Sequence, residues 1–308
     1  MRRPSFFAEI RVKSTGEGCA NASRRKRRGV LISDVSWFDA DKIFDCGQCF
    51  RFAKTDETTW RGTAGSRPIC VKTLPDGVFL FPCTTMRFAE YWRRYFDLDR
   101  DYAAITKDLC KKDAHLADAA RYCHGLRLLR QEKFETLISF IVSANNNIVR
   151  IRGILSRLCE SYGEKIETPW GEEYAFPTAV ALADAELKDL RALGLGYRDS
   201  YVKRTAQRAA EDAGLLEQIA ALDFRQAERV LCEFPGVGKK VADCVALFSM
   251  DCREAFPKDV WIRRTAREVY HMDACALEAS FGKEAGFAQQ MLFYAARIKQ
   301  EKIKTQWM

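Results

Sequence analysis

Between Leu231 and Asp259 the chain reads L-C-E-F-P-G-V-G-K-K-V-A-D-C-V-A-L-F-S-M-D-C-R-E-A-F-P-K-D. Pro235 and Gly236 punctuate a helix, and Gly238 allows a tight turn. Residues 225–231 carry a helical pattern before the break. After it, Val241, Val245 and Phe248 recur at i, i+4 and i+7, an apolar stripe on a second helix. The spacing predicts helix, short glycine hairpin, helix. The start of the second helix offers backbone N–H groups and the positive end of the helix dipole, which suits an anion such as a phosphate. Gly236 and Gly238, on either side of Val237, put no side chain in the way of that approach. An ordinary helix–helix turn satisfies the same pattern.

Two side chains sharpen the reading. Lys240 lies in the first turn of the second helix beside the apolar stripe, and its i+4 neighbour Cys244 shares its face. Lys239 has Asp243 at i+4 and reads as half of a solvated surface pair. A lysine against apolar surface near a helix N-terminus is a candidate for a neutral amine that forms a Schiff base. Asp259 follows Pro257 and precedes the helical run V-W-I-R-R-T-A-R-E-V-Y, where it is placed as an N-cap. Taken singly, Asp259 is as well explained as a cap and nothing more.

Elsewhere, turn chemistry coincides with groups suited to reading bases. Asn145-Asn146-Asn147 separates two apolar helical stretches, and three amides in a row favour a break or cap over a helix interior. Arg150 and Arg152 begin the next helix. Gly194-Leu195-Gly196-Tyr197-Arg198 is a glycine-flanked turn. It could wedge an aromatic ring into a base stack and set an arginine beside a base edge, or it could be a helix end with an aromatic anchor. Gln289 and Phe293 share one face of the C-terminal helix.

The pattern L-x-x-x-P-G-V-G-x-K-x-A-D-C followed by P-x-D-V resembles the helix–hairpin–helix DNA glycosylases, and within them the 8-oxoguanine DNA glycosylases. The motifs S-x-N-N-N-I-x-R, G-x-G-Y-R and G-Q-x-F-R and the Gln289/Phe293 pair extend the resemblance over about residues 34–299. It implies an α+β fold, an N-terminal antiparallel sheet domain packed on a mostly helical glycosylase domain. It implies a bifunctional enzyme that flips 8-oxoguanine, paired with cytosine, out of double-stranded DNA, cleaves its glycosidic bond and nicks the abasic site. By that likeness Lys240 is the Schiff-base nucleophile and Asp259 the carboxylate beside the sugar. Gly47 reads the lesion through its carbonyl, Gln289 bonds the flipped base and Phe293 stacks on it, with Cys244 also at the lesion site. Asn145 fills the gap, Tyr197 is the wedge, and Arg150 and Arg198 bond the estranged cytosine. The Gly236-Val237-Gly238 hairpin takes a phosphate and could hold a monovalent cation on its carbonyls. Trp261 stands where eukaryotic-type relatives have histidine, so the pattern is closer to the bacterial branch. The alternatives are a glycosylase for another lesion, or a non-catalytic DNA-binding hairpin that would need neither Lys240 nor Asp259.

Composition agrees without deciding. The 308 residues carry a net charge of +8, which suits a polyanionic partner. Twelve cysteines sit at irregular spacings, and Cys46 and Cys49 form a lone C-x-x-C read here as structural thiols. After Asp259 only Cys275 remains, so the four-cysteine iron–sulfur cluster of some relatives is not expected, nor is zinc or any required cofactor. No run of about 20 apolar residues is present to span a membrane. The expectation is an intracellular monomer, in bacterial cytoplasm or nucleoid (the nucleus if eukaryotic). Residues 1–29, with the run Arg24-Arg25-Lys26-Arg27-Arg28, read as a basic disordered tail. Residues 30–125 read as the sheet domain with helices, Gly47-Gln48-Cys49-Phe50-Arg51-Phe52 alternating as one of its extended segments, and 126–308 as the helical domain, helix-periodic almost throughout.

Overall fold

The computed structural model describes residues 11–15 and 29–306. Six strands form one antiparallel sheet in the order β1-β2-β6-β5-β4-β3. They are β1 (Arg11–Thr15), β2 (Gly29–Ser33), β3 (Phe52–Asp56), β4 (Thr59–Ala64), β5 (Arg67–Leu74) and β6 (Gly77–Phe81). Alternation builds its buried face: Val30 and Ile32, Ile69 and Val71, Val78 and Leu80 are all buried, each pair two residues apart as the pleat requires. Pairing sets Leu80 between Val30 and Val71. Residues 85–95, helical with one π turn, lay Phe88, Trp92 and Tyr95 against this core.

The second layer is helical. Lys239–Ser249 runs through its middle and is buried along its whole length from Val241 to Ser249. Lys133–Ser143, Phe224–Leu231 and Ala285–Gln306 belong to the same layer. Because the central helix is covered on nearly all sides, its i, i+4, i+7 stripe understates how much of it is core.

Three expectations need correction. Residues 11–15, inside the segment read as a disordered tail, form the edge strand β1, paired with β2 from Arg11↔Ser33 to Thr15↔Gly29. The basic run 24–28 lies outside the described residues. The segment 47–51 is bent rather than a strand, because Gly47 takes φ +79° and Gln48, fully buried, is bonded inward. A two-stranded hairpin, β7 (Lys165–Thr168) with β8 (Gly171–Tyr174), interrupts the helices. The helices Tyr102–Lys112 and Ala114–Cys123, within the segment read as the sheet domain with helices, pack against the helical core. Tyr102 meets Phe287 ring to ring at 4.9 Å.

Candidate active site

The hairpin is set by one glycine more than the other. Gly236 has φ +77°, and a Cβ there would come within 2.4 Å of the Tyr201 ring. Gly238 has an ordinary φ of −96° and is the N-cap of the following helix. Nothing lies within 4 Å of where its Cβ would be. The tight turn therefore belongs to Gly236, whereas Gly238 leaves open space before the helix N-terminus. Val237 is buried, and its N–H bonds the Phe234 carbonyl at 3.0 Å.

One turn into that helix, Lys240 is half-buried, and its Nζ stands 5.3 Å from the centroid of the Phe140 ring. Phe140 is itself fixed between Phe248, stacked at 5.6 Å, and Phe50, edge-on at 5.5 Å. Cys244 is buried as the i+4 pattern predicts. Burial pushes its thiol up to about 11, against the pull of Lys240. Asp259 caps Val260–Glu268, accepting from the Ile262 N–H at 2.9 Å. Burial holds its carboxyl above the ordinary range, opposed by the Ile262 N–H, by Lys240, by the Trp261 N–H and by Arg263. Lys240 thus acts on both Cys244 and Asp259, and the three form one cluster.

Lys239 and Asp243 are not the expected surface pair. Asp243 is 2% exposed, and its near cation is Lys258, at 4.0 Å. A helix buried all round from its third residue on carries its fifth inward whatever that residue's charge.

A second group converges from both layers. Gln289 is buried, and its Oε1 has no hydrogen-bond partner. A buried amide oxygen left unpaired costs about 1–3 kcal/mol, so it marks a place where a donor would be welcome. A Cβ on Gly47 would stand 3.5 Å from the Phe293 ring. The Gly47 loop is held from several sides: Gln290 Nε2 donates to the Cys46 carbonyl at 2.8 Å, and Gln131 Nε2 to the Gln48 carbonyl at 2.7 Å. Gln48 bonds the Ile43 and Arg127 carbonyls and accepts from the Leu129 N–H. Sequence reasoning missed Gln131, Gln290 and Gln48 as the scaffold of this loop. Only Gln48 lay in a motif, and nothing in spacing shows that Gln290 would reach back to Cys46.

The third group is a rim. Asn145 is exposed with φ +50°, and Asn147 caps Ile148–Tyr162, accepting from the Arg150 N–H at 3.0 Å. Arg150 is exposed. Tyr197 is 56% exposed, between Gly194 and Gly196, both at positive φ, and Arg198. Arg198 differs from expectation. It is 4% exposed, and its guanidinium donates to the carbonyls of Ala144 and Asn145, both at 3.0 Å, and of Leu195. It lies over the Tyr197 ring at 4.4 Å. Its donors thus tie the asparagine loop to the tyrosine turn. Val149, 82% exposed beside Arg150, was not singled out by sequence.

Cys46 and Cys49 are buried free thiols directed at the carbonyls of Ile43 and Phe44. Among the described residues no group of three or more histidine, cysteine or acidic side chains could hold a metal ion, and no helix is long and apolar enough to cross a membrane.

A glycine hairpin opening onto a half-buried lysine, with a capping aspartate on the next helix, defines a base excision DNA repair protein of the helix–hairpin–helix superfamily. Residues 138–281 match the family described as "HhH-GPD superfamily base excision DNA repair protein". Residues 30–137 match "8-oxoguanine DNA glycosylase, N-terminal domain". The N-glycosylase/DNA lyase OGG1 of Arabidopsis thaliana is 31% identical over 276 residues, 82% of this chain and 75% of that protein. The 8-oxoguanine glycosylase/lyase of Clostridium acetobutylicum, solved in its apo form, is 34% identical with a TM-score of 0.85, covering 92% of this chain and 98% of that one. The same enzyme solved with double-stranded DNA containing cytosine opposite 8-oxoguanine gives a TM-score of 0.86 at 33% identity, covering 94% of this chain and 98% of that one. The chain belongs to the 8-oxoguanine DNA glycosylase/lyase family.

Proposed function

We propose that this chain removes 8-oxoguanine paired with cytosine from duplex DNA and then cuts the abasic strand, with Lys240 and Asp259 carrying the chemistry. The observation that supports this best is the cluster of Lys240, Cys244 and Asp259 beneath the open mouth of the hairpin. The target base is too deep in a duplex to be reached, so the nucleotide is extruded. Tyr197 enters the stack, Asn145 occupies the vacated space, and Arg150 meets the orphaned cytosine. In the slot, Phe293 covers one face of the base, and the unpaired Gln289 Oε1 accepts from its N–H edge. The carbonyl of Gly47 accepts from N7–H, a donor that 8-oxoguanine has and guanine lacks. Departure of the base leaves positive charge on the sugar, which the Asp259 carboxylate stabilises. The Lys240 amine takes C1′ and forms the Schiff base through which the 3′ phosphate is eliminated.

The hairpin residues 234–239 contain no carboxylate and supply neutral carbonyl oxygens, a donor set suited to a weakly held monovalent cation. Such a cation would add positive charge at the phosphate position. The chain acts as an intracellular monomer on DNA.

Borohydride trapping on a duplex with 8-oxoguanine opposite cytosine tests the reading. Wild-type protein gives a covalent complex, and Lys240→Gln binds the duplex but gives none. Undiminished trapping in that variant, or loss only in Lys239→Gln, moves the nucleophile elsewhere. No trapping with wild type favours a non-catalytic hairpin module.

A further inference from the structure

A cleft of about 370 Å³ opens along the central helix, lined by Lys240 together with Asp243, Lys258, Glu278, Glu228 and Arg225. Asp243, 2% exposed, is more deeply buried than Glu228 at 8%, and it lies one turn after Lys240 on the same helix. Lys258 Nζ lies 4.0 Å from its carboxylate and 2.7 Å from Glu278. Arg225 reaches Glu278 at 3.5 Å and Glu228 at 3.6 Å. Charge thus arrives from four elements. The helix before the hairpin brings Arg225 and Glu228, and the central helix brings Lys239, Lys240 and Asp243. The segment around Asp259 brings Lys258 and Arg263, and Ala274–Phe281 brings Glu278 and the Cys275 thiol. The base slot and the hairpin use none of Asp243, Lys258 and Glu278. A carboxylate taken out of water is costly unless a charge or hydrogen bond compensates. Lys258 compensates this one, inside the cleft that Lys240, its i−3 neighbour on the helix, also lines.

We propose that Asp243 is a positioning residue for strand cleavage: its carboxylate, adjusted by Lys258 and Glu278, is the counter-charge for the cation that Lys240 carries once it is bonded to the sugar. This rests on Lys240 being the nucleophile. At an abasic site the Lys240 nitrogen adds to the C1′ aldehyde. The aldehyde oxygen takes up protons and leaves as water, and a C1′=N iminium with one positive charge remains. C2′ then loses a proton, its electron pair flows toward the iminium, and the C3′–O bond breaks with the phosphate taking that bond's electrons. The cation is the electron sink of this step, so an anion near it keeps the nitrogen protonated and the step fast. Burial holds the Asp243 carboxyl up to about 7, helped by Glu228 and Glu278 and opposed by Lys258 and Arg225. The carboxyl is neutral below that point and anionic above it. The counter-charge therefore appears as pH rises through neutrality.

The test is single-turnover cleavage by the full chain of a duplex carrying a preformed abasic site opposite cytosine, followed across pH. Wild type should show a limb that rises through neutrality. Lys258→Met removes the cation that pulls Asp243 down, so its limb should move to higher pH, with several-fold slower cleavage at a fixed pH on the limb. Glu278→Gln removes an anion and releases Lys258 toward Asp243, so its limb should move to lower pH and cleavage there should quicken. Asp243→Asn should lose the limb and stay about tenfold below the wild-type plateau, the equivalent of one pKa unit of interaction. A folded Asp243→Asn that keeps the limb, or Lys258→Met and Glu278→Gln limbs that do not move in opposite directions, overturns the proposal. If Asp243→Asn does not fold, the two opposite shifts decide. Lys240→Gln, run alongside, must cleave at no pH. Activity surviving there overturns the nucleophile assignment instead, and the two failures stay distinct.

Discussion

At the scale of single residues, Gly47 joins two constraints. Its φ of +79° is one that an L side chain adopts at a cost of about 1–2 kcal/mol, and a methyl there would touch Phe293. Gly47→Ala should therefore melt somewhat lower. It should lose far more excision of 8-oxoguanine than cleavage of a preformed abasic site, which has no base to seat. Equal loss on both substrates would make Gly47 a folding residue only. The two arginines of the rim divide in a way their motifs did not show. Arg150 is exposed and keeps a fork suited to the acceptors of an unpaired cytosine. Wild type should prefer cytosine over adenine opposite the lesion by roughly tenfold or more, since a good bidentate contact contributes about 1–3 kcal/mol. Arg150→Ala should narrow that preference, as read from excision opposite each of the four bases. Arg198 instead satisfies the carbonyls of Ala144, Asn145 and Leu195. Sequence identified the arginine, and its neighbours in space reveal where its donors go.

At the scale of elements, the helix–hairpin–helix was legible because local rules agree. Proline and glycine break the chain, an apolar stripe resumes, and an aspartate caps the next helix at 2.9 Å. The open space before Gly238 and the dipole of the helix behind it suit an anion, which supports the phosphate role proposed for the hairpin. Phosphate contacts should dominate affinity. A plot of log affinity against log salt should fall steeply, by about 0.9 for each phosphate neutralised on duplex DNA. A flat plot would remove the hairpin's electrostatic role. The bend at 47–51 was not legible, because alternation in G-Q-C-F-R looks like a strand. The segment leaves the sheet because Gln48 finds three backbone partners in the interior.

At the scale of the whole molecule, the two layers meet where the site is. Gln290 from the last helix and Gln131 from the segment before Lys133–Ser143 grip residues 46–48, and Arg297 and Arg152 grip Asp45. The network around Asp243 is also a product of assembly, and it has a consequence for stability. The Asp243 carboxyl is raised from 3.8 to about 7. Between those values the unfolded chain is ionised there and the folded chain keeps the proton. The folded state's advantage is complete below the lower value and is lost as pH rises through the upper one. Asp243→Asn does not titrate, so its melting temperature relative to wild type should rise with pH across that window, by the equivalent of a few kcal/mol. A constant difference would show that Asp243 is ionised throughout.

The sequence by itself determined the parts governed by near neighbours. It placed the hairpin, the cap at Asp259, the asparagine break, the shared faces of Lys240 with Cys244 and of Gln289 with Phe293, and an N-terminal sheet. Each follows from dihedral preference or from periodicity, which act over a few residues. Tertiary structure decided what those residues face. It set Lys240 against Phe140, left the Gln289 oxygen unpaired, turned Arg198 inward, packed Tyr102–Lys112 against the helical core, and made a presumed surface aspartate a buried one paired with Lys258. These depend on which elements come together in space, whether the chain between them is short, as from Asp243 to Lys258, or long, as from Tyr102 to Phe287, and burial and Coulomb interaction depend on distance in space, to which spacing along the chain is blind.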